Sequence, residues 1–287
     1  MLGIVAVNGA RLSAGSVGLS VARRWSEAGE RVLFIDADAT QPPLAERFGA
    51  AVRAEYPPES RGLPSLIAAH EPLTLKSAAN HSYNLDGGGE GSRWALFGPR
   101  HPNGAQYAAR WLGERASDLL DINRERRIVV ALSLEAGAEA QHLLLKAMSV
   151  LVFVAPVRTR KEAEALRSLC ELAGLVHEAP STTAGQLVID GEESELGDNE
   201  AMGITRLFVA GRLPAIDDEK LLRLQGSRKD RAFLREFDRI SEYLLQLPGH
   251  GSDPAGEKAP SAPMNRPAYA EEEAEAADRA QQRQVAS

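Results

Sequence analysis

Short, almost wholly apolar runs recur along this chain: Gly3-Ile-Val-Ala-Val7, Arg31-Val-Leu-Phe-Ile-Asp36, Trp94-Ala-Leu-Phe97, Arg127-Ile-Val-Val-Ala131, Val150-Leu-Val-Phe-Val-Ala155, Gln186-Leu-Val-Ile189 and Thr205-Arg-Leu-Phe-Val-Ala210. A strand with one wet face alternates apolar and polar residues. A strand that is apolar at successive positions is buried on both sides, as in a parallel sheet. Helical spacing appears between such runs. Val17, Val21, Trp25 and Ala28 share one helix face, with Gly29 placed as its C-cap. Ala163, Leu166, Leu169, Cys170 and Ala173 share another, and Phe233, Phe237, Ile240 and Leu244 a third. Trp25 reads as core. The alternation predicts an α/β domain with a mostly parallel sheet of roughly seven strands, covered by helices on both faces and joined by right-handed crossovers. Residues 54–62 and 77–93, rich in Pro, Gly, Ser and Asn, read as loops.

Ligands of such sheets sit at the carboxyl ends of the strands. Those ends fall near Asn8–Ser16, Asp36–Gln41, Ala131–Gly137 and Pro156–Lys161. The domain is expected to occupy residues 1–248. From Gly249 to Ser287 the chain is dominated by Gly, Pro, Ala, Ser, Glu and Gln, too poor in large aliphatic residues to offset the entropy of ordering, and it reads as a disordered tail.

Bulk properties exclude several classes. A net charge of −7 argues against nucleic-acid binding over the whole surface. The single cysteine, Cys170, permits neither a disulfide framework nor a Cys-based metal site and fits a reducing cytoplasm. The histidines are scattered, His142 and His177 reading as surface or helix-end residues, so no metal site is expected. No signal peptide is visible, and no apolar stretch reaches the ~18 residues of a membrane span.

The stretch Ser20-Val-Ala-Arg-Arg-Trp-Ser-Glu-Ala-Gly-Glu-Arg-Val-Leu-Phe-Ile-Asp-Ala-Asp38 resembles, without a gap, the part of the ParA/MinD family of P-loop ATPases that runs from the first helix through the second strand to an Asp-x-Asp. Weaker echoes extend to residue 247. They include Ala210-Gly-Arg-Leu-Pro-Ala-Ile-Asp217, similar to the family's late strand and Pro-containing loop. The resemblance implies a three-layer P-loop NTPase-like fold. It also implies a nucleotide site, which needs a glycine-rich loop ending in Gly-Lys-Thr: amides close around the phosphates, Lys bridges the β- and γ-phosphates, and a hydroxyl holds Mg²⁺.

Here the loop reads Asn8-Gly9-Ala-Arg11-Leu-Ser-Ala14-Gly15-Ser16-Val-Gly18. Counted back from Asp36, Ala14 stands where the family has its Lys, and shifted registers offer only Gly15 or Ser16. The first lysine of the chain is Lys76. Arg11 imitates the family's additional lysine, which reaches a partner's phosphate across a dimer. Ala131 takes the place of the Asp that ends the Walker B strand, with Glu135 a turn later. Asp190 stands where relatives carry a base-contacting Asn. Losing one phosphoryl clamp costs roughly 10²–10³ in rate, so the combined losses imply little or no turnover. Weak ATP or ADP binding through Asn8–Ser16 stays compatible with the sequence.

Each candidate has a plainer reading. Asp36 and Asp38 are either remnants of catalysis or a polar strand end and loop cap. Ser16 is an N-cap of the first helix or a Mg²⁺ ligand. Arg228, Arg231, Arg235 and Arg239 line one face of the last helix, as a solvated face or as a basic strip for DNA or an acidic partner. The resemblance implies a non-hydrolysing positioning or assembly protein, dimeric, working through protein partners in pilus, secretion or division machinery. It would be cytoplasmic, or recruited by a partner to a pole or membrane-associated machine. Alternatives are a residual ATPase with an atypical loop and a DNA-associated partition or regulatory factor.

Overall fold

The computed structural model describes residues 1–7, 9–38, 44, 61–86, 92–99, 102–133, 138–172, 185–191, 194–223 and 230–247. All belong to one compact unit, Met1–Ser252. The expected tail lies outside the described residues, as do residues 54–60 of the first expected loop.

β1 (Leu2–Ala6) leads through a short loop into α1 (Ala14–Glu27), and β2 (Val32–Asp36) follows. Next come the short helices α2 (Leu63–Ala68) and α3 (Leu75–His81), then β3 (Tyr83–Asn84) and β4 (Arg93–Leu96). Helices α4 (Pro102–Glu114) and α5 (Ala116–Glu125) fill the crossover to β5 (Arg127–Ser133). Then come α6 (Ala138–Ala147), β6 (Val150–Ala155), α7 (Arg160–Leu172), β7 (Gly185–Asp190), α8 (Asp198–Thr205), β8 (Phe208–Leu213), α9 (Asp218–Arg223) and α10 (Arg231–Gln246).

Among the described residues the strands form one eight-stranded sheet in the order β3-β4-β2-β5-β1-β6-β7-β8. Every neighbouring pair is parallel except β3 with β4. The eighth strand beyond the expected seven is β3, a two-residue edge piece inside the segment read as loop from 77 to 93. That segment also holds the end of α3, which Thr74 and Ser77 start with a reciprocal capping box. The last strand also differs from expectation. Thr205 closes α8 rather than opening a strand, because its hydroxyl donates to Ala201 O at 2.8 Å and Arg206 turns left-handed, φ 62°. β8 therefore begins at Phe208 and runs on to Leu213.

Apolar runs on parallel strands produce two cores. Leu33, Ile35, Val130, Leu132, Phe153 and Ile189 point to one face, under α4 to α8. Phe34, Val129, Ala131, Val152 and Val188 point to the other, under α1, α9 and α10. Trp25 is buried as expected, and its indole N–H donates to Ser241 O at 2.9 Å, tying α1 to α10. α1 ends one residue before the expected cap: Ala28 is the C-cap and Gly29 follows it at φ 96°. Among the described residues no helix is long and apolar enough to cross a membrane.

Gly18 lets α1 lie flat on the sheet: a Cβ there would stand 2.9 Å from Phe34 Cε2 and 3.5 Å from Val129 Cγ1. Gly18→Val is expected to lower unfolding free energy by roughly 1–3 kcal/mol through overpacking, measured by urea denaturation.

Candidate functional site

The carboxyl ends of the central strands deliver the expected segments to one edge. β1 ends at Ala6; Gly9 takes φ 86°, and the turn closes with Ala10 N donating to Val7 O at 2.9 Å. The chain then enters α1, so residues 9–13 form the loop and Ala14, Gly15 and Ser16 the first turn of the helix. Asn8 lies outside the described residues.

Three consecutive backbone amides of this loop point at carboxylates of the same chain. Arg11 N donates to Asp190 Oδ2 at 2.5 Å and Leu12 N to the same oxygen at 3.3 Å. Ser13 N donates to Asp218 Oδ1 at 3.0 Å. The side chains add to this: Arg11 Nη2 stands 3.1 Å from Asp190 Oδ1, and Ser13 Oγ and Ser16 Oγ donate to Asp218 Oδ2 at 3.0 and 2.8 Å. Successive amides converging on an anion make a nest, and the start of a helix adds favourable dipole. Asp190 reaches the nest from the end of β7 and is 1% exposed. Asp218 reaches it as the first residue of α9 and is partly exposed.

Sequence reasoning named Asp190 and Arg11 but not their contact, and it missed Ser13 and Asp218. Only Asp218's place after the Pro-containing loop hinted at it. The N-cap of α1 is Ser13, whose hydroxyl accepts from Ser16 N at 3.1 Å. Ser16 is therefore not the cap; it sits one turn inside with its hydroxyl on Asp218. Ala14 opens α1 fully buried, so the position that would carry a lysine faces core.

Asp36 ends β2 beside this turn: a Cβ on Gly15 would lie 3.9 Å from Asp36 Oδ1 and 3.4 Å from Leu44 Cδ1. Burial first, and the charge of Asp38 second, push the Asp36 carboxyl up to about 7. The amides of Asp38, Gly98 and Leu44 donate to it and oppose that shift. Asp38 is itself 9% exposed. Ala131 pairs with Asp36 across the sheet, and Ala131 O accepts from Ala37 N at 3.0 Å. Its side chain is core, below the strand end, and Glu135 lies outside the described residues. Among the described residues no group of three or more His, Cys, Asp or Glu is arranged to hold a metal ion.

The basic strip is only partly assembled. Arg228 lies outside the described residues. Arg231 and Arg235 are exposed on α10. Arg239 is committed elsewhere: Nη2 stands 2.6 Å from Glu236 Oε1 and donates to Ala210 O at 3.0 Å. Asp238 on the same helix pairs with Arg24 of α1 at 2.7 Å. Much of the polar face thus serves to fasten α10 to its neighbours.

No protein-family model matches the sequence, and no curated protein matches it. Solved structures do match the fold. A ParA family ATPase from Chlorobium tepidum superposes with a TM-score of 0.58 at 14% identity, over 85% of this chain and 99% of that one. The septum site-determining protein MinD of Pyrococcus horikoshii, complexed with Mg-ADP, gives 0.55 at 14%, over 88% of this chain and 100% of that one. The MinC:MinD cell division complex of Aquifex aeolicus gives 0.55 at 11%, over 90% and 99%. The chain therefore has the α/β fold of the ParA- and MinD-type ATPases, the same group that residues 20–38 resemble in sequence.

The position of Asp36 generates a pH dependence. Its folded value lies above the ordinary 3.8, so the folded state holds a proton that the unfolded chain has released. Its contribution is complete below about pH 4 and is lost as pH rises to about 7. Asp36→Asn keeps an acceptor for the three amides and removes the buried charge. Its unfolding free energy relative to the parent is expected to improve by about 1–3 kcal/mol from pH 5 to pH 8, measured by urea denaturation at both values.

Proposed function

We propose that this protein is a non-hydrolysing ParA/MinD-like positioning or assembly protein that acts by dimerising and binding protein partners. The observation that carries the reading is the occupied nest: the amides of Arg11, Leu12 and Ser13 bond Asp190 and Asp218. Nucleotide phosphates placed there would meet two carboxylates instead of a lysine, and like charges at such distances in a partly buried site repel strongly. The buried alanines at 14 and 131 support the same reading, since each stands where the resemblance places a group that handles phosphate or Mg²⁺. The MinC:MinD complex among the structural neighbours illustrates a partner-bound form of this fold. Pilus, secretion and division machineries are the settings such a scaffold would serve, with no nucleotide required.

A residual ATPase is the competing reading, and the Asp36 carboxylate beside the first turn of α1, with Asp38 next to it, is what favours it. Isothermal titration of the full chain with ATP-Mg²⁺, combined with a phosphate-release assay, separates the two. The scaffold predicts no saturable heat at millimolar nucleotide, no phosphate release, and a homodimer by light scattering without nucleotide. Micromolar binding with measurable phosphate release would falsify it.

A further inference from the structure

We infer that Asp190 and Asp218 form an autoinhibitory pair, which holds the loop between β1 and α1 in an anion-binding shape while occupying it with the chain's own charge. The inference rests on the preceding reading of this loop as a site that does not process nucleotide, and it adds how the site is kept closed.

The two carboxylates come from far along the chain, 179 and 205 residues from the amides they accept. Neither contact follows from local turn chemistry, as an Asx turn would. Each belongs to a separate element, and the two divide the nest between them. Asp190 takes the amides of Arg11 and Leu12 and the Arg11 guanidinium. Asp218 takes the Ser13 amide and the hydroxyls of Ser13 and Ser16. These are the donor types that recognise a phosphoryl group: consecutive amides, a guanidinium and hydroxyls at a helix start. A phosphoryl ligand entering here must displace a carboxylate from those donors or lie against it.

The two members differ in exposure and in the element that carries them. Asp190 terminates a strand held between two others and is almost wholly buried. Asp218 begins a helix of six residues and is partly exposed. Asp218 is therefore the member that can be withdrawn, while Asp190 forms a fixed floor.

The test uses inorganic pyrophosphate without metal, titrated into the full chain and into Asp218→Asn, Asp190→Asn and the double variant. Asparagine keeps the volume and one acceptor, and the Ser13 and Ser16 hydroxyls can reverse to accept from its amide. Affinity is expected to rise by about tenfold or more for each carboxylate neutralised, with the double variant tightest and the parent weakest. Equal affinity in parent and double variant overturns the inference. So does a failure of the variants to gain affinity while their circular dichroism matches the parent. If Asp190→Asn does not fold, the partly exposed Asp218→Asn decides alone. ATP turnover by the parent would sink the scaffold reading whatever the variants do, whereas silent variants sink only the autoinhibitory pair.

Discussion

The requirement to cover both faces of a parallel sheet organises this molecule. Parallel strands need crossovers, the crossovers are helices, and their right-handed sense places them above and below the sheet. The alternation of Phe34 and Val129 on one face with Ile35 and Val130 on the other is the record of that demand. Because every central strand runs the same way, their carboxyl ends share one edge. The loop before α1, the end of β2 and the end of β7 are brought together by that geometry alone.

What the edge carries is unusual for a place built from strand ends and a helix start. Such a place favours anions, and here the chain supplies them itself. Asp190 and Asp218 satisfy amides that would otherwise need water or ligand, and they add charge-assisted bonds of the stronger kind. The contact joins β1, α1, β7 and α9 at one point.

Asp36 answers the same edge in a different way. It accepts from the amides of Asp38, Gly98 and Leu44, and burial with Asp38 nearby raises it to about 7. Asp190 faces a guanidinium at 3.1 Å, whereas among the described residues the charged neighbour that shifts Asp36 is another carboxylate. Burial and a like-charged neighbour thus favour the protonated form of this strand-end carboxylate.

Much of the fold was legible in the residues. The apolar runs located the long strands, the spacing from Val17 to Ala28 and from Phe233 to Leu244 located two helices, and Ser20 to Asp38 pointed to the fold group that the structural neighbours confirm. The limits were local ones. Thr205-Arg-Leu reads as strand by composition, yet one hydroxyl bond and one left-handed residue end a helix there. Ser13 and Ser16 are both good caps, and only backbone geometry chose between them. The alanines at 14 and 131 were visible because they are residue identities. The contacts of Asp190 and Asp218 with the loop amides were not, because they span 179 and 205 residues of chain. Sequence by itself determined the layers, the buried strands and the absence of any lysine before Lys76, since each follows from periodicity or from residue identity. Tertiary structure alone decided what fills the loop, because distant carboxylates meet its amides only after the sheet has aligned the strand ends.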